Sequence, residues 1–302
     1  NSILIIAFLN WSAILFLLRE TMGTIINLFK SLTLLSTIFL CLLVSACGEN
    51  LFSGFEPDIG NLSASLDQAQ TADDYTAIAE AATVVIDSST STNEEKEDAY
   101  LARAESRLGQ DGLGTLDLFE DIVSAIDSGG NTLDVLDVSA NVVSLTSASN
   151  DIASAEALAG ANGLSDEENV LKAVTNTMII VNRFNASFEI DNSNSVQRLD
   201  NTLSYETTLN NFVTVPDNIG IYNDRANDGF ANANSLSASQ LSEVNEVTSD
   251  TTSVIALQAA VAGNEDITIQ GTVYTFSANP RTNGDAARES KISLALSAIY
   301  GN

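Results

Sequence analysis

The sequence predicts an all-α protein, a helical-hairpin array with one small β-hairpin insertion near the C-terminus. Three observations carry this reading. Apolar residues recur at helical spacing in stretch after stretch, hydroxyl-x-x-acid caps open such stretches at Thr71, Thr92 and Ser165, and glycines fall where the periodic runs stop. One stretch alternates instead: Ile267-Thr268-Ile269 and Val273-Tyr274-Thr275-Phe276 flank Gln270-Gly271-Thr272, a hairpin signal.

In chain order, Ile3 to Leu18 are strongly apolar around Asn10 and Trp11, and Arg19 and Glu20 close that run. Residues 1–21 are expected to be an upstream extension preceding Met22; if expressed, they read as a membrane helix. Lys30 then precedes an apolar core, Leu32 to Leu43, which is too short to cross a bilayer and so matches a secretory signal. It ends in Val44-Ser45-Ala46-Cys47-Gly48, with an aliphatic residue, a small hydroxyl residue and alanine before the cysteine. This pattern resembles the lipobox of bacterial lipoproteins. The alternative is a membrane helix in which Cys47 has no special part, but the chain turns polar directly after it.

The lipobox resemblance implies that residues 22–46 form a signal peptide cut between Ala46 and Cys47. Cys47 would then be the first mature residue, carrying a thioether-linked diacylglycerol and usually an amide-linked acyl chain such as palmitate. Each buried methylene contributes about 0.8 kcal/mol, so two or three chains anchor firmly where one does not. Such proteins are commonly retained at the inner membrane by an aspartate after the cysteine, and Gly48 stands there instead. The resemblance therefore implies the cell outer membrane, with the membrane itself as partner through Cys47. Cys41 lies within the apolar core and lacks these flanks, so no internal disulfide is expected of the mature chain.

Residues 47–62 read as a flexible tether rich in glycine, asparagine and acids, and 63–302 as the helical domain. Thr71-Ala72-Asp73-Asp74 caps a helix through Tyr75, Ile78, Ala79, Ala82, Val85 and Ile86. After a polar connection at 87–91, Thr92-Asn93-Glu94-Glu95 caps a second through Ala99, Leu101, Ala104 and Leu108, ending near Gly109, and Gly112 and Gly114 turn the chain. Leu118, Phe119, Ile122, Val123 and Ile126 supply a third face, which stops at Gly129-Gly130. The first two helices, through Tyr75 to Ala82, Ala99 to Ala104 and Arg107-Leu108-Gly109, resemble a divergent tetratricopeptide pair. That family implies an α-solenoid with a concave binding surface. Asp111-Gly112-Leu113-Gly114 departs from the family's tight turn and aromatic, and no second copy recurs at 34 residues.

Residues 131–163 read as short helices. Ser165-Asp166-Glu167-Glu168 opens the longest periodic segment, through Leu171, Val174, Met178, Val181 and Phe184, expected as a central pillar. Between Asp191 and Asn234, asparagine, serine and aspartate with Pro216 and Gly220 predict loops with one or two short helices. Asp191 to Ser195 and Asp224 to Gly229 resemble calcium loops, but Val196 and Ala226 occupy key positions and neither ends in the bidentate glutamate, so solvated loops are expected. A long helix from Ser237 to Ala262 stops at Gly263, and Asp285 to Tyr300 closes the domain through Ala287, Ile292, Leu296 and Ile299.

Chemistry narrows the function. The chain holds 12 Lys+Arg against 40 Asp+Glu, a net charge of −28, and only Arg19, Glu20 and Lys30 of these precede Cys47. Such a surface repels nucleic acid, which is excluded as a partner. With no histidine, and with its cysteines in the signal and lipobox, the chain lacks the commonest general base, the usual zinc ligands and the Ser-His or Cys-His nucleophile pairs. Gly112-Leu113-Gly114 follows a helix, lacks a lysine and reads as a turn. No catalytic residue, metal ligand or cofactor is expected. The reading is a lipid-anchored, non-catalytic binding or scaffold module of the envelope, with a protein or small ligand as partner. The alternatives are a periplasmic hydrolase using only carboxylates, for example on glycans, and a ligand-carrier lipoprotein associated with a transporter.

Overall fold

The computed structural model describes residues 62–113, 142–191, 193, 195–234, 238–277 and 285–300; of 238–244 it describes the backbone only. The third apolar face at 116–126, residues 47–61 of the tether and everything before them lie outside the described residues; Leu62, expected as the last tether residue, instead opens a helix and is buried. What is described is mostly helical, with two small antiparallel β-hairpins.

Helices α1 (Leu62–Leu66), α2 (Ala72–Asp87), α3 (Asn93–Gln110), α4 (Val142–Ala159) and α5 (Asp166–Ser187) pack each against the next in chain order. Their starts are set by the expected caps. Thr71 Oγ1 accepts from Asp74 N at 3.2 Å while Asp74 Oδ2 accepts from Thr71 N at 3.0 Å. Thr92 with Glu95 and Ser165 with Glu168 repeat this reciprocal pairing, which satisfies helix donors that have no partner within the helix. Ile78, Ala82 and Ile86 of α2 are buried, as are Ala99, Leu101, Ala104 and Leu108 of α3, so both predicted faces point inward. The α2–α3 hairpin is closed by Gly109, whose backbone lies so near the Tyr75 ring that an added Cβ would sit 2.5 Å from it. The chain leaves α3 at Gly112, with φ of +78°, where Leu113 N donates to Leu108 O and Gly112 N to Gly109 O, both at 3.0 Å.

Residues 142–159 form one 18-residue helix where short helices are expected. Leu145, Ala148, Ile152 and Ala155 are buried along one side of it, but alanine and serine elsewhere on the helix blur the contrast between its faces. Helix α5 is the pillar: its predicted face residues Leu171, Val174, Met178, Val181 and Phe184 are all buried, and it packs against α4, α6, α7 and α8. It is not the longest helix, since α8 (Ala238–Gly263) has 26 residues against 22.

Phe188 to Arg198 forms a hairpin that the loop expectation misses, β1 (Phe188–Ile190) against β2 (Val196–Arg198), with Phe188 opposite Arg198 and Ile190 opposite Val196. Its first strand follows α5 without a break, Ser187 ending the helix and Phe188 opening the strand, and its turn from Asp191 to Ser195 has no glycine to mark it. After it come α6 (Tyr205–Thr214) and α7 (Ile219–Asn232). Pro216 lies in the turn between them, and Gly220 lies inside the first turn of α7 rather than breaking the chain. The expected hairpin is β3 (Ile267–Ile269) with β4 (Thr272–Tyr274), joined across Gln270 and Gly271, both at positive φ as a tight hairpin turn requires. Helix α8 ends through Asn264 in the left-handed conformation rather than through Gly263. In α9 (Ala286–Tyr300) Ile292, Ala295, Leu296 and Ile299 are buried, but Ala287 is exposed and Arg288 takes the inward place.

One apolar core joins α3, α4 and α5 to α6, α7, α8, α9 and both hairpins. At its centre Phe184, Phe188 and Phe212 meet edge to face or tilted with centroids 5.5 to 6.2 Å apart, and Tyr300 lies 4.3 Å from Phe184.

Candidate functional site

Ala46 and Cys47, the cleavage and lipidation residues expected from the sequence, lie outside the described residues. Of the two calcium-like stretches, Asp191 closes the β1–β2 turn. Its Oδ1 accepts from Ser193 N at 2.8 Å and Ser195 N at 3.0 Å, and these backbone donors, Ser195 first, hold its carboxyl below the usual range. The other, Asp224 to Gly229, is not a loop at all but two turns of α7. Gly229 there lets α7 approach α5, because a Cβ would lie 2.7 Å from Asn169 O. Among the described residues, no three of histidine, cysteine, aspartate and glutamate converge to hold a metal.

The structure instead forms an open groove of about 600 Å³ between the 198–205 turn and one side of α9. The α9 side presents Ala286, Glu289, Ser290, Ser293 and Leu294, spaced three and four apart as one helical stripe. Opposite lie Arg198, Thr202, Ser204 and Tyr205. Arg198 lies 4.4 Å from the centroid of the Tyr205 ring, Nη1 donates to Leu203 O, and the same nitrogen is 3.7 Å from Glu289 Oε2. Glu289 Oε2 also accepts from Tyr205 N at 2.5 Å, serving the first turn of α6. Tyr205 Oη donates toward Val196 O at 3.1 Å, so the ring is held from both ends.

The groove offers hydroxyls, one arginine whose charge is already met by a carboxylate, and the exposed Leu294. This set suits reversible binding of a polar group. The carboxylates pushed up to about 7, Asp98 on α3 and Asp250 on α8, line no part of the groove. Burial raises Asp98 first, then the negative charges of Glu97, Glu168 and Glu94; burial raises Asp250 first, then Glu246.

Sequence reasoning misses the groove because Arg198 to Tyr205 and Ala286 to Leu294 are about 90 positions apart and share no motif. The one available signal is scarcity, since Arg198 is among very few cations in an acidic chain. No family model matches the chain, and neither the curated proteins nor the solved structures contain one significantly similar to it.

Proposed function

We propose that this chain is a lipid-anchored protein of the bacterial cell envelope, held in the outer membrane through Cys47, which acts as a non-catalytic binding or scaffold module. The observation that carries the reading is the order Lys30, Leu32 to Leu43, Val44-Ser45-Ala46-Cys47, that is charge, short apolar core and lipobox, followed at once by polar chain. The binding half is supported by a chain without histidine and by helices α2 to α5 stacked one on the next, an arrangement that presents extended surfaces.

The test is metabolic labelling with an alkyne fatty acid of cells expressing the full chain and its Cys47→Ser variant, followed by separation of inner and outer membranes by density. Label on the wild type in the dense outer-membrane fraction, and its loss together with membrane association in Cys47→Ser, is the expected result. A Cys47→Ser variant that stays in the membrane would place the anchor elsewhere. Label found only in the light fraction would overturn the outer-membrane assignment.

A further inference from the structure

Two arginines of this fold, Arg103 and Arg288, bond through the same edge of the guanidinium. Arg103 meets Asp151 side-on, Nε to Oδ2 at 3.0 Å and Nη2 to Oδ1 at 2.6 Å, the planar two-donor edge of the guanidinium matched to the two oxygens of a carboxylate. Arg288 uses the same edge, with Nε on Glu206 Oε2 at 2.9 Å and Nη2 on Val261 O. Arg183 of α5 leaves that edge unused. Its side chain is buried, 6% exposed, yet Nε and Nη2 both lie out of solvent without a hydrogen-bond acceptor.

What Arg183 does engage leaves that edge open. Nη1 donates to Asp217 O at 2.7 Å, just before the first residue of α7, and the guanidinium carbon lies 5.3 Å from the centroid of the Tyr222 ring. A ring over the guanidinium face offsets some of the charge but accepts none of the in-plane N–H groups. The nearby acid is otherwise occupied: Asp217 Oδ2 accepts from Tyr222 Oη at 3.0 Å. Removing a guanidinium from water without pairing it costs several kcal/mol, so a buried arginine is ordinarily matched by an anion. Consistent with that cost, burial lowers the arginine's basicity and the nearby Tyr222 and Asp217 restore only part of it.

We propose that the Nε/Nη2 edge of Arg183, at the N-terminus of α7, is a binding site for a small carboxylate anion. Two parallel in-plane donors fit two carboxylate oxygens, and the dipole of a 14-residue helix adds a favourable end. One guanidinium beside an acid neutralises one charge, so a monoanion fits better than phosphate or sulfate. Asp217, whose carbonyl holds Nη1 of the same guanidinium, is exposed in the turn between α6 and α7.

The experiment uses the purified full chain and sodium formate, titrated against sodium fluoride at constant ionic strength. The expected result is saturable transfer of magnetisation from the protein to [13C]formate and a thermal midpoint that rises with formate concentration, as a ligand of the native state requires. Arg183→Lys keeps the charge but loses the edge, and should bind formate about tenfold more weakly or worse. Absence of transfer and of any midpoint shift in the wild type would overturn the proposal and leave the edge to buried water. So would undiminished binding by Arg183→Lys. If that variant fails to fold, the 15N resonance of the wild-type Arg183 Nε–H decides: a saturable shift with formate supports the site, and an unmoved resonance refutes it.

Discussion

At the scale of single residues, Asp151 shows how a few polar side chains organise an alanine-rich interior. On α4, it takes Arg103 through both oxygens and Arg107 Nη1 at 2.8 Å, while Arg103 Nη1 reaches Thr83 of α2 at 3.1 Å. One carboxylate thus links three helices. Lys172 does the same on the other side of α4: its side chain is buried, and Nζ donates to Glu156 of α4 at 2.6 Å and to Asp228 of α7. Hydroxyl and amide groups extend the layer, with Ser149 Oγ donating to Asn176 Oδ1 at 2.7 Å and Arg225 Nη1 donating to Ser149 Oγ at 2.8 Å. A charged link of this kind adds little net stability when whole, yet removing one member strands the others. Asp151→Asn should therefore lower unfolding free energy by about 3 kcal/mol, read from the urea midpoint of the full chain. Glu156→Gln, at a partly exposed position, should lower it by about 1 kcal/mol or less. Equal effects from the two changes would contradict the assigned role of burial.

At the scale of elements, legibility follows the contrast between faces. Helices α2, α3 and α5 were readable because each opens on a reciprocal cap and sets large aliphatic side chains against charge, and the residues expected inside them are buried or partly buried. Helix α7 was not readable as a helix from Asp224 to Gly229, since within that stretch only the small Ala226 and Gly229 are buried, where they let α7 approach α5 closely, and its large apolar residues Ile219, Tyr222 and Phe230 lie outside it. The β1–β2 hairpin was hidden because it continues directly from α5 and turns without a glycine, and the groove by the distance in sequence between its two walls. That Arg183 faces inward had no local sign, because a lone arginine on a helix is ordinarily solvated. The α2–α3 pairing can be tested directly. Leu101 is wholly buried, so Leu101→Asp should cost several kcal/mol and remove the cooperative thermal transition. Leu294→Asp, on the exposed side of α9, should shift stability by no more than about 0.5 kcal/mol. Unchanged unfolding in Leu101→Asp would refute the face assignment for α3.

At the scale of the whole molecule, the charges divide by sign. Of nine lysines and arginines among the described residues, eight bond or pair with other parts of the fold; for example Arg225 bonds to α4, and Lys291 donates to Thr275 O at 3.0 Å. The cations thus hold the fold together, while some of the acids, which are in large excess, lie near one another, as Asp98 does with Glu97, Glu168 and Glu94 and Asp250 with Glu246. Two consequences for stability run in opposite directions with pH. Asp98 and Asp250, raised to about 7 from an ordinary 3.8, bind protons more tightly when folded, so stability falls as pH climbs from about 4 to about 7 and the charge is forced on them. Asp74, Asp191, Asp200 and Asp266 are held below 3.8 chiefly by hydroxyl and backbone donors, so their contribution is present above the ordinary carboxylate range and is lost as pH falls through their lowered values. Stability should accordingly peak near pH 4, with a decline that runs to about pH 7. Thermal midpoints of the full chain from pH 3 to 8 measure this. The double variant Asp98→Asn, Asp250→Asn should flatten the decline above pH 5 and leave the acid limb in place, because the four lowered aspartates are untouched. A midpoint that rises steadily from pH 5 to 8 in the wild type would mean that these two carboxylates are not crowded by burial and by the negative charges around them.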